Sequence, residues 1–120
     1  MGTPVELGRE DYHVELVLDR ESGLLQVYVL DGEMENFVRC QAPSIEIRTT
    51  VGGREETLVL KAVPNSETGE TVGDTALYQG PAGVAKAAGT FEGVLREITI
   101  RGTTYTDVKF SFPKGNDPES

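Results

Sequence analysis

Tryptophan is absent from this chain of 120 residues, and cysteine and histidine occur once each, as Cys40 and His13. A single cysteine excludes an internal disulfide and any metal cluster built on several thiolates. Basic residues are scarce. Against 20 Asp and Glu stand 11 Lys and Arg, a formal net charge of −9, which opposes binding to phosphate backbones or anionic lipid surfaces. Nucleic acid is therefore not expected as a partner. No apolar run approaches the roughly 20 residues that span a bilayer. The longest, such as Val27-Tyr28-Val29-Leu30, are strand-sized, so direct membrane insertion is not expected either. The opening Met1-Gly2-Thr3-Pro4 lacks the basic and apolar regions of a signal peptide and leads almost directly into a strand. Two readings stand, a native start and a start from which a leader has been removed, and the second is favoured.

What the chain does have is glycine, 14 residues of it, with 38% hydrophobic residues. That composition describes one loop-rich domain, long enough to bury a single core. The clearest signal is the pair Gly52-Gly53 between two alternating apolar runs, Ile45, Ile47, Thr49, Val51 and Leu58, Leu60, Ala62. A period of two places each set on one face of a strand. A two-residue turn at the glycines pairs Val51 with Arg54, Ile47 with Leu58 and Ile45 with Leu60, so turn chemistry and hydrophobic phase specify one register.

The same pattern recurs. Tyr12, Val14, Leu16 and Leu18 alternate with His13, Glu15 and Val17. After the polar turn Asp19–Gly23, Leu24 to Leu30 is apolar on both faces, as a central strand would be. Phe37 to Cys40 is a short apolar segment, residues 64–74 form a turn-rich surface loop, and Thr75 to Gln79 reads as a short strand. Pro81 to Ala88 is the one credible helix, with Pro81 in its first turn and Gly89 as its cap. A last hairpin, Phe91–Ile100 and Thr103–Phe112, turns at Arg101-Gly102 and sets Ile98 against Tyr105, Leu95 against Val108, Arg96 against Asp107 and Phe91 against Phe112. Between Leu95 and Ile98 the apolar phase shifts, which predicts a bulge or a change of buried face. Residues 1–113 are expected to form the domain and residues 114–120 a disordered tail. Six or seven strands with so little helix predict an all-β fold, an antiparallel, immunoglobulin-like β-sandwich; a small β-barrel is the alternative.

The segments Tyr12-His13-Val14-Glu15-Leu16-Val17-Leu18-Asp19 and Val27-Tyr28-Val29-Leu30-Asp31-Gly32 resemble small exported domains of planctomycete-type bacteria. More distantly, the chain is similar to the leading domain of periplasmic adaptor proteins from heavy-metal efflux pumps. Pro4-Val5-Glu6-Leu7-Gly8, Gly69-Glu70 with the later Tyr78, and Ile98-Thr99-Ile100-Arg101-Gly102-Thr103-Thr104-Tyr105 fit the same pattern. The resemblance implies a periplasmic or secreted domain, lipid-anchored in some members, most of which have no assigned activity. Several members carry a Pro-His-Gly-Gly stretch just before the Pro-Val-Glu-Leu equivalent, and this chain has none.

Candidate sites are few. His13 with Glu15 supplies half a metal site, since three or four ligands are normally needed, and a structural or exposed imidazole is the expectation. Asp31, Glu33 and Glu35 would share one side of an extended backbone, as hard cations prefer, but they match no calcium-loop spacing and read as solvated surface. Gly69 to Gly73 lacks the lysine and helix of a phosphate loop. Cys40 reads as a small buried residue. No catalytic residue, cofactor or metal site is therefore assigned. The expected function is a non-enzymatic exported module that binds a protein or cell-envelope partner; the alternative is a metal-handling accessory domain related to the efflux adaptors.

Overall fold

In the computed structural model, which describes residues 2–83 and 85–116, the chain forms strands β1 (Thr3–Leu7), β2 (Tyr12–Asp19), β3 (Leu24–Asp31), β4 (Ser44–Val51), β5 (Arg54–Ala62), β6 (Leu77–Pro81), β7 (Phe91–Ile100) and β8 (Thr103–Phe112). All eight join one antiparallel sheet in the order β1-β2-β3-β6-β5-β4-β7-β8. Among the described residues the helical content is one α-helical turn, α1 (Ala85–Ala88), and a 3-10 turn at Ser66–Thr68. The fold is thus all-β, as expected, but eight strands in a single sheet that nearly closes on itself replace the six- or seven-stranded immunoglobulin-like sandwich. The barrel alternative describes it better.

The glycine hairpin has the expected register, with Val51 opposite Arg54, Ile47 opposite Leu58 and Ile45 opposite Leu60. Both glycines sit in the left-handed region, at φ 56° and 84°, where a two-residue turn twists with its strands and a side chain would be strained. The last hairpin also keeps its register, Ile98 to Tyr105, Leu95 to Val108 and Phe91 to Phe112. The ladder skips only Arg96 and Asp107, and Asp107 adopts φ 50°. Each strand spends one residue on the distortion. The register survives, but the buried face switches from Phe91, Gly93 and Leu95 to Ile98 and Ile100. The expected change of face is therefore present, and the expected Arg96–Asp107 pair is what it displaces.

Alternate residues fill the interior. Val14, Leu16, Val27, Val29, Ile45, Ile47, Leu58, Leu60, Ile98 and Phe110 are all buried, and Tyr12 is half-buried against them. Tyr78 is enclosed among them and its hydroxyl donates to the Ala42 carbonyl at 2.8 Å, which satisfies the one polar atom that an interior tyrosine carries.

Two stretches differ from the sequence reading. Pro81 ends β6 instead of opening a helix, so of the described residues in this stretch only Ala85–Ala88 are helical, with the Gly89 N–H donating to the Ala85 carbonyl at 3.0 Å. Residues 114–116, read from composition as tail, are part of the fold; residues 117–120 lie outside the described residues. Gly115 is buried, and a Cβ on it would lie 2.2 Å from the Pro4 carbonyl oxygen. The Asn116 side chain does what a neighbouring strand would do for β1: its Oδ1 accepts from Glu6 N–H at 2.7 Å and its Nδ2 donates to the Glu6 carbonyl at 3.0 Å. Thr3 Oγ1 donates to the Pro113 carbonyl at 3.0 Å, and Tyr105 donates its hydroxyl to Asp11 at 3.1 Å. These bonds draw the two ends of the sheet together.

Ile47→Ala is expected to cost about 2–4 kcal/mol in urea unfolding, the range for truncating an enclosed aliphatic side chain; a loss below about 1 kcal/mol would remove Ile47 from the core. Asn116→Ala leaves both Glu6 backbone groups without partners, at about 1–3 kcal/mol. Hydrogen exchange should then accelerate at the Glu6 amide while the β4–β5 amides stay protected.

Candidate functional site

β3 determines where the outer surface becomes interesting. Its inward residues are Leu25, Val27 and Val29, and the alternation that buries them turns Leu24, Gln26, Tyr28 and Leu30 outward. Leu77 of β6 stands opposite Tyr28 and Gln79 opposite Gln26. The two glutamines satisfy each other through Nε2 to Oε1 at 2.8 Å, and the Tyr28 hydroxyl donates to Gln26 at 3.3 Å. Beyond Leu77, the first residue of β6, the segment from Phe37 takes its place beside β3. Phe37 bridges Leu30, and the Val38 N–H donates to the Val29 carbonyl at 2.9 Å. Leu30 is buried there, while Phe37 remains 65% exposed, its ring centroid 5.9 Å from that of Tyr28.

Facing this aromatic wall is the start of the 64–74 loop. Val63 donates its N–H to the Leu77 carbonyl at 2.9 Å and is 36% exposed. Between the walls lies a groove of about 200 Å³, lined by Tyr28, Phe37, Val63, Ala76 and Leu77 and edged by Asn65, Thr68 and Glu70.

The polar edge is knitted together. The Asn65 carbonyl accepts from the N–H groups of Thr68 and Glu70 at 3.1 and 3.0 Å, and its Oδ1 from Glu67 N–H at 3.0 Å. Glu70 Oε1 accepts from the Thr75 hydroxyl at 2.6 Å. Burial raises the Glu70 pKa, but the hydrogen bonds from Thr75, Asn65, Thr68 and Ala76 outweigh it and hold the carboxyl below its usual value. Arg39 ties the two walls: its guanidinium pairs with Asp74 at 3.1 Å and donates to the Thr68 carbonyl. The loop is exposed, as its composition predicts, and internally bonded.

The residues singled out in the sequence are placed elsewhere. Asp31 is a turn residue: its carboxylate accepts from the Asn36 side chain and the Glu35 N–H, both at 2.9 Å. Those two bonds, Asn36 first, lower its pKa. The backbone folds back there, Met34 N–H donating to the Asp31 carbonyl at 3.0 Å, so Asp31, Glu33 and Glu35 do not line one side of an extended strand. His13 and Glu15 face outward on β2. His13 lies between Glu6 and Leu30 and Glu15 between Pro4 and Tyr28; His13 Nδ1 is buried without a hydrogen-bond partner. Among the described residues no three His, Cys, Asp or Glu side chains are arranged to hold a metal ion. Cys40 is buried, and burial pushes its thiol up to about 11 against the opposing charge of Arg101, which leaves it a poor nucleophile and ligand at neutral pH.

The groove was not identified from sequence. Its signal was the two-sided hydrophobicity of Leu24–Leu30, which reads as a central strand and here also marks an outer face left partly open. A second cleft, about 470 Å³, opens where β4 and β7 part beyond Ile47–Leu95 and is lined by Glu46, Arg96, Glu97 and Asp107 among others; it is a charged gap between diverging strands with no convergent chemistry. Comparison with protein-family models, with curated proteins and with solved structures finds no match.

Because the folded-state pKa of Glu70 is depressed, its contribution to stability is full above the ordinary glutamate range and is lost as pH falls through the folded value. Glu70→Gln should therefore loosen the 64–74 loop at pH 7, measured as faster proteolysis between residues 65 and 74, and the difference from the wild type should shrink under acid conditions.

Proposed function

We propose that this chain is a non-enzymatic binding module, exported to the bacterial envelope, whose contact surface is the Tyr28–Phe37–Val63–Leu77 groove. One observation carries the reading: a phenylalanine, Phe37, 65% exposed as a residue, is held on a hydrogen-bonded outer face with its ring beside a second aromatic ring. Leaving that apolar area in water costs roughly 25 cal/mol per Å², a cost that a partner recovers on binding. Aromatic anchors carry a disproportionate share of binding energy at protein interfaces. Tyr28 brings its hydroxyl already satisfied by Gln26, so docking onto its ring strands no polar group. The export assignment rests on the family resemblance.

Panning a displayed random-peptide library on the immobilised protein tests the reading. Selected peptides should bind Phe37→Ser at least about 30-fold more weakly, the loss of about 2 kcal/mol expected of an interface anchor. Val59→Ser, which removes an exposed valine of β5 outside the groove, should leave affinity unchanged. Binders indifferent to Phe37→Ser in a variant of wild-type circular dichroism would place the contact surface elsewhere.

A further inference from the structure

We infer that the groove selects a cationic peptide segment, a large apolar side chain flanked by Lys or Arg; the inference rests on the groove being the contact surface. The apolar requirement follows from the floor and walls, where Tyr28, Phe37, Val63 and Leu77 present carbon. The charge requirement follows from the edges. On one side the turn leading into Phe37 exposes Glu33 and Glu35; on the other, Glu67 is exposed beside the lining residue Glu70. The cation bridging the two walls, Arg39, is already committed to Asp74 and the Thr68 carbonyl. A second cation, Lys61, is exposed on the outer face of β5 opposite Gln79. Glu33, Glu35, Glu67 and Glu70 still outnumber the cations around the groove, so the local field has the sign of the whole chain, 20 acidic against 11 basic residues. Complementary charge raises association rate and specificity.

Competing occupants fit less well. An anionic lipid surface or a second copy of this chain would bring like charge to the carboxylates. A glycan would need polar groups to bond its hydroxyls, and of those on the edge Asn65 Oδ1, Thr68 Oγ1 and Glu70 Oε1 already take part in bonds within the loop, so the carbon-lined floor favours an apolar side chain. What remains open is apolar surface with a negative border.

Three labelled peptides test this by fluorescence anisotropy, each with a central Leu-Phe pair flanked by lysine, by serine or by glutamate. The full chain, its Phe37→Ser variant and the triple variant Glu33→Gln, Glu35→Gln, Glu67→Gln serve as receptors. The lysine peptide should bind the wild type at least about tenfold more tightly than the glutamate peptide. That ratio should fall at least about threefold on raising salt from about 50 to about 300 mM, and again in the triple variant, and Phe37→Ser should weaken all three peptides. Equal binding of the three, still lost in Phe37→Ser, overturns the charge inference and leaves the groove as contact surface. Lysine-peptide binding that survives Phe37→Ser is adhesion to an acidic surface and overturns it too. Displacement of the lysine peptide by chitohexaose would assign the groove to glycan. If no peptide distinguishes the wild type from Phe37→Ser, the contact-surface reading fails along with the inference.

Discussion

A β-sheet has two edges, and each presents a row of backbone N–H and C=O groups that must find partners in water, in protein or in another chain. Here the edges are β1 and β8, and coiling the sheet brings them together. The seam is made without a regular ladder. Asn116 gives Glu6 one donor and one acceptor, which is what a neighbouring strand would supply, and Thr3 and Tyr105 add bonds on either side of it. Closure encloses the inward residues of all eight strands, and it gives each strand an outer face whose composition is free to serve another purpose. The Arg96–Asp107 distortion fits the same constraint: by turning Ile98 and Ile100 inward, it keeps both halves of β7 facing one interior while the register with β8 is undisturbed.

The groove is a consequence of where β6 begins, at Leu77 opposite Tyr28. With only five residues, Leu77–Pro81, it cannot accompany β3 to its end, and Phe37 fills the vacated position beside Leu30. The aromatic residue in that position stands beside the buried Leu30 and is itself exposed. Both walls are hydrogen-bonded locally. Asp31 ties the turn that precedes Phe37, Asn65 and Glu70 order the opposite loop, and Arg39 crosses between them. A surface ion pair such as Arg39–Asp74 contributes little stability by itself; the spacing of the two walls is set beside it by the Cys40–Thr75 backbone bridge, with N–H to carbonyl bonds of 2.8 and 3.1 Å. Preorganisation of that kind lowers the ordering cost of binding.

Much of the fold was legible along the chain. Alternation named the inward residues of β2, β4 and β5, and the two turns fixed hairpin registers residue by residue, because turn geometry and hydrophobic phase must agree for either to form. β1 was less legible: Pro4 interrupts its donors, and its inward residues Val5 and Leu7 gain meaning only once β2 lies beside them. The helix expected over Pro81–Ala88 shrank because Pro81 is compatible with a strand end whose N–H is not needed, and β3 offers it a partner in Leu24. Of the site, Tyr28 was visible as an apolar outward residue, but Phe37, Val63 and Leu77 lie on three separate segments whose meeting is set by strand order.

The sequence by itself determined an acidic, all-β chain, its hairpins, and the inward phase of most of its strands, since each of these depends on neighbours within a few positions and on a period of two. Only the tertiary structure decided that the strands form one nearly closed sheet, that Asn116 belongs to the fold, and that an exposed phenylalanine sits beside Tyr28. Those depend on contacts between residues up to 110 positions apart, and no local periodicity encodes which distant edge a strand will meet. They were settled by the requirement that every buried backbone group find a partner, a condition imposed on the whole chain at once.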